Sequence, residues 1–271
     1  MFKASALLVL LTAVTGRALF FGDSIYGSGR SAAQHLKLPE GIHTVRLMVD
    51  GAEVELLPTD EAEAFVLWNF DSEWAKHFDL QIRLATIYGV QLNLKPKKPG
   101  DKRQLKCRFY KKCVNKLTVR VPGLKEVVND AKNSKLYSSP NTVFKGETFK
   151  AKVVKKGSSV DLTVKVGHLE AQASEGGSKM TLHGAAKTTF YTAVGSKEQG
   201  AIFDAGDLEA EDVEIDTYYS DLTVWARKYI FVDFYKSKPV KIYYRGEPMA
   251  SSRNQHPYAR GKFVPLDKQR P

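Results

Sequence analysis

Cysteine is scarce: Cys107 and Cys113 are the only two in 271 residues. That excludes a small disulfide-built scaffold, and two thiols fall short of the four ligands of a structural zinc site. Long apolar runs are also missing after the first eighteen residues, so nothing downstream is suited to span a bilayer as a helix. The six histidines (His35, His43, His77, His168, His183 and His256) show no H-x-x-x-H spacing. No P-loop or dinucleotide fingerprint is present, and Gly27-Ser28-Gly29 lacks the five-residue nucleophile-elbow pattern. The sequence therefore points to no cofactor, no metal and no catalytic residue. No long stripe of 3.6-residue period appears either, and the β-branched and aromatic content disfavours helix.

Acids are outnumbered, 30 against 41 Lys and Arg, giving a formal net charge of +11. Residues 1–18 read as a cleavable secretory signal: Lys3 supplies a positive start, Ala4–Val14 an apolar core, and Gly16 and Ala18 small residues at the −3 and −1 positions. Its removal deletes Lys3 and Arg17, so +11 falls by two to +9. The mature chain is expected to be exported to the periplasm, the outer-membrane surface or the medium. A positive balance speeds encounter with polyanions without choosing among them.

What is present is a repeat. Short alternating runs begin at Ser159, Lys179, Gly200, Asp221 and Lys241, with Val160, Met180, Ala201, Leu222 and Ile242 as the first inward residues, 20, 21, 21 and 20 apart. Such a period is the mark of stacked β-coils burying apolar side chains against one another. The expected fold is all-β, a solenoid of ~20-residue coils preceded by a block of strands. Within the coil from Ala201 the inward parity changes twice, from Phe203 and Ala205 to Leu208 and Ala210 and back to Val213 and Ile215. Each change marks a corner. Small residues at Gly184, Ala205, Ala226 and Gly246 suit a crowded corner or a narrow interior. The expected organisation is signal 1–18, linker 19–38, strand block 39–120, coils 121–248 and a basic mobile tail 249–271. Asp50-Gly51 reads as a hairpin turn between two strands, and Asp71–Phe78 as the one segment able to form a helical turn.

The densest chemical feature is Lys95–Lys116, where ten of twenty-two residues are Lys or Arg and Asp101 is the single acid. Lys97, Lys98, Lys102, Arg103, Arg108, Lys111 and Lys112, with Phe109 and Tyr110 among them, pair charge with flat stacking surfaces. They are candidates for binding phosphate- or uronate-rich polymers; the alternative is a solvated hairpin whose lysines discourage edge pairing. In an exported chain Cys107 and Cys113 favour a disulfide, worth ~2 kcal/mol by chain entropy, over two free thiols. The acids from Asp204 to Asp216 occupy outward positions by alternation, which favours a solvated face over a calcium or catalytic site. Trp225, Phe231 and Tyr235 face outward on the last coils and are candidates for stacking on sugar rings, against simple surface packing.

Four stretches carry a family resemblance: Val49–Leu56, Leu117–Val127, Glu175–Gly184 and Phe203–Ile215. Together they make residues 40–248 resemble the head GIN domain family of putative autotransporter adhesins, a group of exported bacterial proteins. Departures fall at Asp130–Ser134 and Thr217–Ser220, where the family pattern favours a Ser-Gly-Ala type turn. The resemblance implies a right-handed β-helix-like fold on or near the cell surface and no established activity. The expected function is accordingly a non-enzymatic envelope or surface module for adhesion or polymer binding, its partner a polysaccharide, another polyanion or a protein. Two other readings stay open: a polysaccharide lyase or hydrolase on a β-helix, and a self-associating envelope component. The oligomeric state is not legible.

Overall fold

A run that alternates apolar with polar residues can bury one side only, so such runs must stack to share a core. In the computed structural model the described residues are 25–26, 34–38, 40–59, 64–69, 78–86, 89–96, 115–236, 239–255, 257 and 259–266. The leader, most of Asp71–Phe78, and the basic segment from Lys97 with both cysteines lie outside them. Every regular element among the described residues is a strand.

β1 (Ile25–Tyr26) and β2 (Gln34–Lys37) fall in the stretch expected to be a linker. β3 (Thr44–Leu47) and β4 (Ala52–Leu57) come next. β5 (Phe65–Asn69), β6 (Phe78–Thr86), β7 (Gly89–Pro96) and β8 (Asn115–Arg120) make an excursion before the chain returns in β9 (Glu126–Asn129) and β10 (Lys135–Ser138). Long strands follow: β11 (Val143–Val153), β12 (Ser159–Ala173), β13 (Lys179–Val194), β14 (Ile202–Tyr218) and β15 (Leu222–Phe234). The described chain ends with β16 (Val240–Arg245), β17 (Met249–Asn254) and β18 (Gly261–Pro265).

β11 to β15 pair in parallel, each with the next, and form the middle of a β-solenoid of about seven turns. Val160, Met180, Phe203, Leu222 and Ile242 stand in one register row. Phe203, and not Ala201, therefore opens the third coil. Both residues share parity and both are buried, so alternation could not choose between them; the longer turn 195–201 sets the register. The three parity blocks of that coil are buried as expected, with bulges between Ala205 and Glu209 and between Ala210 and Asp212.

Asp50-Gly51 is not a hairpin. β3 pairs in parallel with β9, and β4 with β10, so Asp50-Gly51 is a coil turn lying directly on Lys132-Asn133. Gly51 (φ 72°), Asn133 (φ 52°), Gly157 (φ 74°) and Gly177 (φ 77°) repeat one left-handed turn conformation. Asn is the side chain best able to replace glycine there, which is how the Asp130–Ser134 departure keeps the turn. Carboxylates tie turn to turn: Asp50 accepts the Lys132 amide at 2.7 Å, and Glu175 that of Lys156 at 2.9 Å.

Antiparallel pairs β2–β5–β8 and β1–β6–β7 close the amino-terminal end. At the other end the coils continue past the expected boundary at Pro248. β17 extends β15 and β18 extends β16, both in parallel, so Met249–Asn254 and Gly261–Pro265 add strands to the stack. The outermost rung needs to bury little, which suits its polar composition: β17 is exposed over nearly its whole length.

One continuous apolar core runs inside the stack. Val, Leu, Ile and Phe side chains each contribute roughly 1.5–3 kcal/mol on full burial. Phe144 and Phe149 meet at 5.6 Å and Tyr191 and Phe203 at 4.9 Å between ring centroids. Where neighbouring coils crowd at an exposed corner only glycine fits: Gly184 has φ 105°, and a Cβ there would fall on the Val164 carbonyl oxygen.

Candidate binding groove on the solenoid flank

In β12 the corner that opens the second flank lies at Gly167, where inward parity switches from Val166 to Leu169. On the second flank, parallel register converts sequence alternation into rows along the axis. One outward row is His168, Thr188, Asp212, Tyr229 and Met249. Its neighbour is Glu170, Phe190, Glu214, Phe231 and Ser251, and a third is Gln172, Thr192, Asp216, Asp233 and Arg253. Adjacent strands lie about 4.8 Å apart, so side chains within a row are close neighbours.

The first two rows enclose an open groove of about 310 Å³ spanning four coils, with Phe190, Tyr229 and Phe231 as ring surfaces and His168, Asp212 and Glu214 as polar ones. Two of the rings are held from β17: the Tyr229 hydroxyl bonds Ser251 Oγ at 2.6 Å, and the Arg253 guanidinium lies 5.7 Å from the Phe231 centroid. His168 Nδ1 is engaged with Thr188 Oγ1 at 2.9 Å.

The charges around the groove divide into two classes. Glu170 pairs with Lys150 at 2.5 Å, Glu211 with Lys228 at 2.5 Å, Glu209 with Arg227 at 3.1 Å and Asp207 with Arg245 at 2.8 Å. The Lys150 ammonium holds the Glu170 carboxyl below the usual carboxylate range. Buried Asp233 takes two bonds from Arg253, at 2.9 and 2.6 Å, which lower its pKa. Asp212 and Glu214, by contrast, form no salt bridge among the described residues. Beside them, desolvation and then the charges of Asp233 and Glu214 push Asp216 upward.

Larger recesses exist but have different linings. One of about 530 Å³ beside Pro58, Arg120 and Lys145 opens where β4, β8 and β11 diverge, and one of about 550 Å³ follows the turn ridge past Lys132, Lys156 and Glu175. Neither presents several aromatic faces. Among the described residues no three His, Cys, Asp or Glu side chains are placed to share a metal ion, and no helix is long and apolar enough to cross a membrane.

The three aromatic candidates do not form one ladder. Phe231 lines the groove. Tyr235 stacks on Tyr218 at 4.4 Å and 9° beyond the groove lining, and Trp225 sits on the first flank in register with Glu209 and Arg245. The nine candidates of the basic segment and the Cys107–Cys113 pair lie outside the described residues. Sequence alternation placed Asp212 and Glu214 outward but missed their union with Phe190. The signal was the register: an offset of 24 sets Phe190 beside Glu214, whereas the repeat spacing of 21 sets it beside Glu211.

Solved structures share this fold. An adhesin-designated protein of Bacteroides fragilis matches with a TM-score of 0.62 at 16% identity, over 86% of this chain and 94% of its own. A protein of Parabacteroides distasonis described as lipid-binding matches at 0.55 and 14%, over 88% and 98%. One of Parabacteroides merdae, again designated an adhesin, matches at 0.50 and 12%, over 88% and 98%. No curated protein matches the sequence. Residues 84–248 match the family described as "Putative auto-transporter adhesin, head GIN domain", and the chain belongs to that family.

Proposed function

We propose that the protein is an exported, non-enzymatic surface module that binds an extended polymer along the second flank of its solenoid. The observation that carries this reading is the groove, which runs across four successive coils and offers ring faces and unpaired carboxylates to solvent. A repeated flank suits a repeated ligand, because each coil adds a similar set of contacts. Family membership and the adhesin-designated neighbours support a surface role.

The test is binding of the full chain to immobilised acidic, neutral and basic polysaccharides at two salt concentrations. Retention by at least one class, lost in Phe231→Ala, is the expected result. Ultraviolet-absorbing unsaturated products from pectate, alginate or hyaluronan would replace the binding reading with the lyase.

A second, separate reading concerns Lys95–Lys116. Its ten cations against one acid support salt-sensitive polyanion binding at that segment. The same panel tests it: heparin retention should fall in the Lys111→Ala/Lys112→Ala variant and stay unchanged in Phe231→Ala.

A further inference from the structure

We infer that the second-flank groove is built for a linear glycan bearing free amino groups, a polymer of protonated hexosamine units laid parallel to the solenoid axis. The inference rests on the polymer-binding reading above and adds orientation and ligand charge. Phe190, Glu214 and Phe231 occupy consecutive rungs of one row. Two strand spacings separate the rings, about 10 Å, a distance on the scale of two sugar units. An aromatic face packs against the apolar face of a sugar ring. Between those faces stands the Glu214 carboxylate, and in the adjoining row Asp212 stands between Thr188 and Tyr229. A chain running along the rows would thus meet stacking surface and negative charge in alternation.

The charge preference follows from which groups are already satisfied. Three cations near the groove are committed: Lys150 to Glu170, Lys228 to Glu211, and Arg253 to Asp233. Asp212 and Glu214 have no such partner among the described residues, and both face the groove. An ammonium group there gains ion pairing from the carboxylates and attraction from the faces of Tyr229 and Phe231. A uronate or phosphate polymer would instead face two carboxylates that form no salt bridge among the described residues. The groove thus selects against the polyanions that the net charge of the whole chain attracts.

The experiment is calorimetric titration of the full chain with a chitosan hexamer and with its fully N-acetylated counterpart, at two salt concentrations. The amino hexamer is expected to bind about tenfold more tightly, and more weakly at high salt. Glu214→Gln and Asp212→Asn should each weaken the amino hexamer about three- to fivefold without touching the acetylated one. Phe231→Ala should weaken both, and Lys111→Ala/Lys112→Ala neither. Equal affinity for the two hexamers, or indifference of the amino hexamer to both carboxylate variants, overturns the inference. Binding only to acidic or neutral polymers on the wider panel overturns it while leaving the polymer-binding function standing. Silence towards every polymer removes both.

Discussion

Asn129 and Ser134 lock the first turn of the main stack through a buried hydrogen bond, with Ser134 Oγ donating to Asn129 Oδ1 at 2.7 Å. The same amide donates from Nδ2 to the Ser159 carbonyl at 2.9 Å, binding one coil to the next. Both residues are buried. Register places Val153 beside Asn129, followed by Ala173, Ala193 and Thr217. Thr217 repeats the solution at the far end, its hydroxyl donating to the Ser220 carbonyl at 2.7 Å. Polar side chains thus hold the turns at Asp130–Ser134 and Thr217–Ser220, the two places that depart from the family pattern.

Asn129→Val leaves the Ser134 hydroxyl and the Ser159 carbonyl without that amide inside the protein. A loss of about 1–3 kcal/mol is expected, since the cost is that of buried polar groups left unmade. Urea unfolding followed by far-ultraviolet circular dichroism would measure it. An unchanged midpoint would show that water or the neighbouring backbone takes over both groups.

Gly184→Ala should be among the most damaging single substitutions. It forces a side chain into a left-handed conformation at φ 105° and drives its Cβ onto the Val164 carbonyl oxygen. Strain of this kind costs on the order of 1–3 kcal/mol before any clash is relieved, and the clashing atom is backbone that cannot rotate away. Gly51→Ala, also at positive φ but with open space around its Cβ, should cost less. Comparing the two melting temperatures separates crowding from backbone strain.

Solenoid architecture was legible because burial parity is a property of each strand alone. Val160, Met180, Leu222 and Ile242 could be aligned from alternation and spacing, and the structure sets them in one row. Register between coils was less legible, because Ala201 and Phe203 have the same parity and turn length decides between them. That two-residue difference, with the one-residue bulge after Thr181, also hid the groove, which exists only where Phe190, Glu214 and Phe231 line up. The return of β3 and β4 onto β9 and β10, 82 residues later, lay beyond any local pattern. Asp50-Gly51 has the composition of a hairpin turn, and nothing within the turn distinguishes that use from a coil corner.

Asp216 and Asp233 respond oppositely to pH. Asp216 is raised by burial and by its acidic neighbours, so its ionisation costs the folded state more than the unfolded chain. That penalty grows as pH rises from the unfolded carboxylate range through the raised folded value, and it is fully present at neutral pH. Asp216→Asn should therefore raise the melting temperature at pH 7 and lose its advantage below pH ~4. Asp233 is lowered by Arg253, so its contribution is present above the unfolded value and lost as pH falls through the folded one. Asp233→Asn should destabilise at pH 7, by about 1 kcal/mol because Arg253 is largely exposed, and should matter little in acid. Melting curves of both variants from pH 3 to pH 8 test the two signs together.

The last rung is the place to ask whether β17 and β18 cap the stack or merely follow it. Gly261 lies flat against the Phe234 ring, since a Cβ there would fall on that ring's own carbons. Phe263 packs on the core and meets Tyr244 edge-on at 6.4 Å, while Ala259 is buried. Truncation after Pro248 would strip these covers and leave the backbone of β16 and the second half of β15 as open edges. Open parallel edges over an uncovered core pair with one another. The truncated chain is expected to self-associate in a concentration-dependent way and to melt at lower temperature, with light scattering and calorimetry as the readouts. A truncated chain that stays monomeric at the parent's melting temperature would show that these strands close nothing. An intact chain that already associates end to end would place the contact on β17 and β18 themselves, and Ser252→Pro, which removes a backbone donor from β17, should then abolish it.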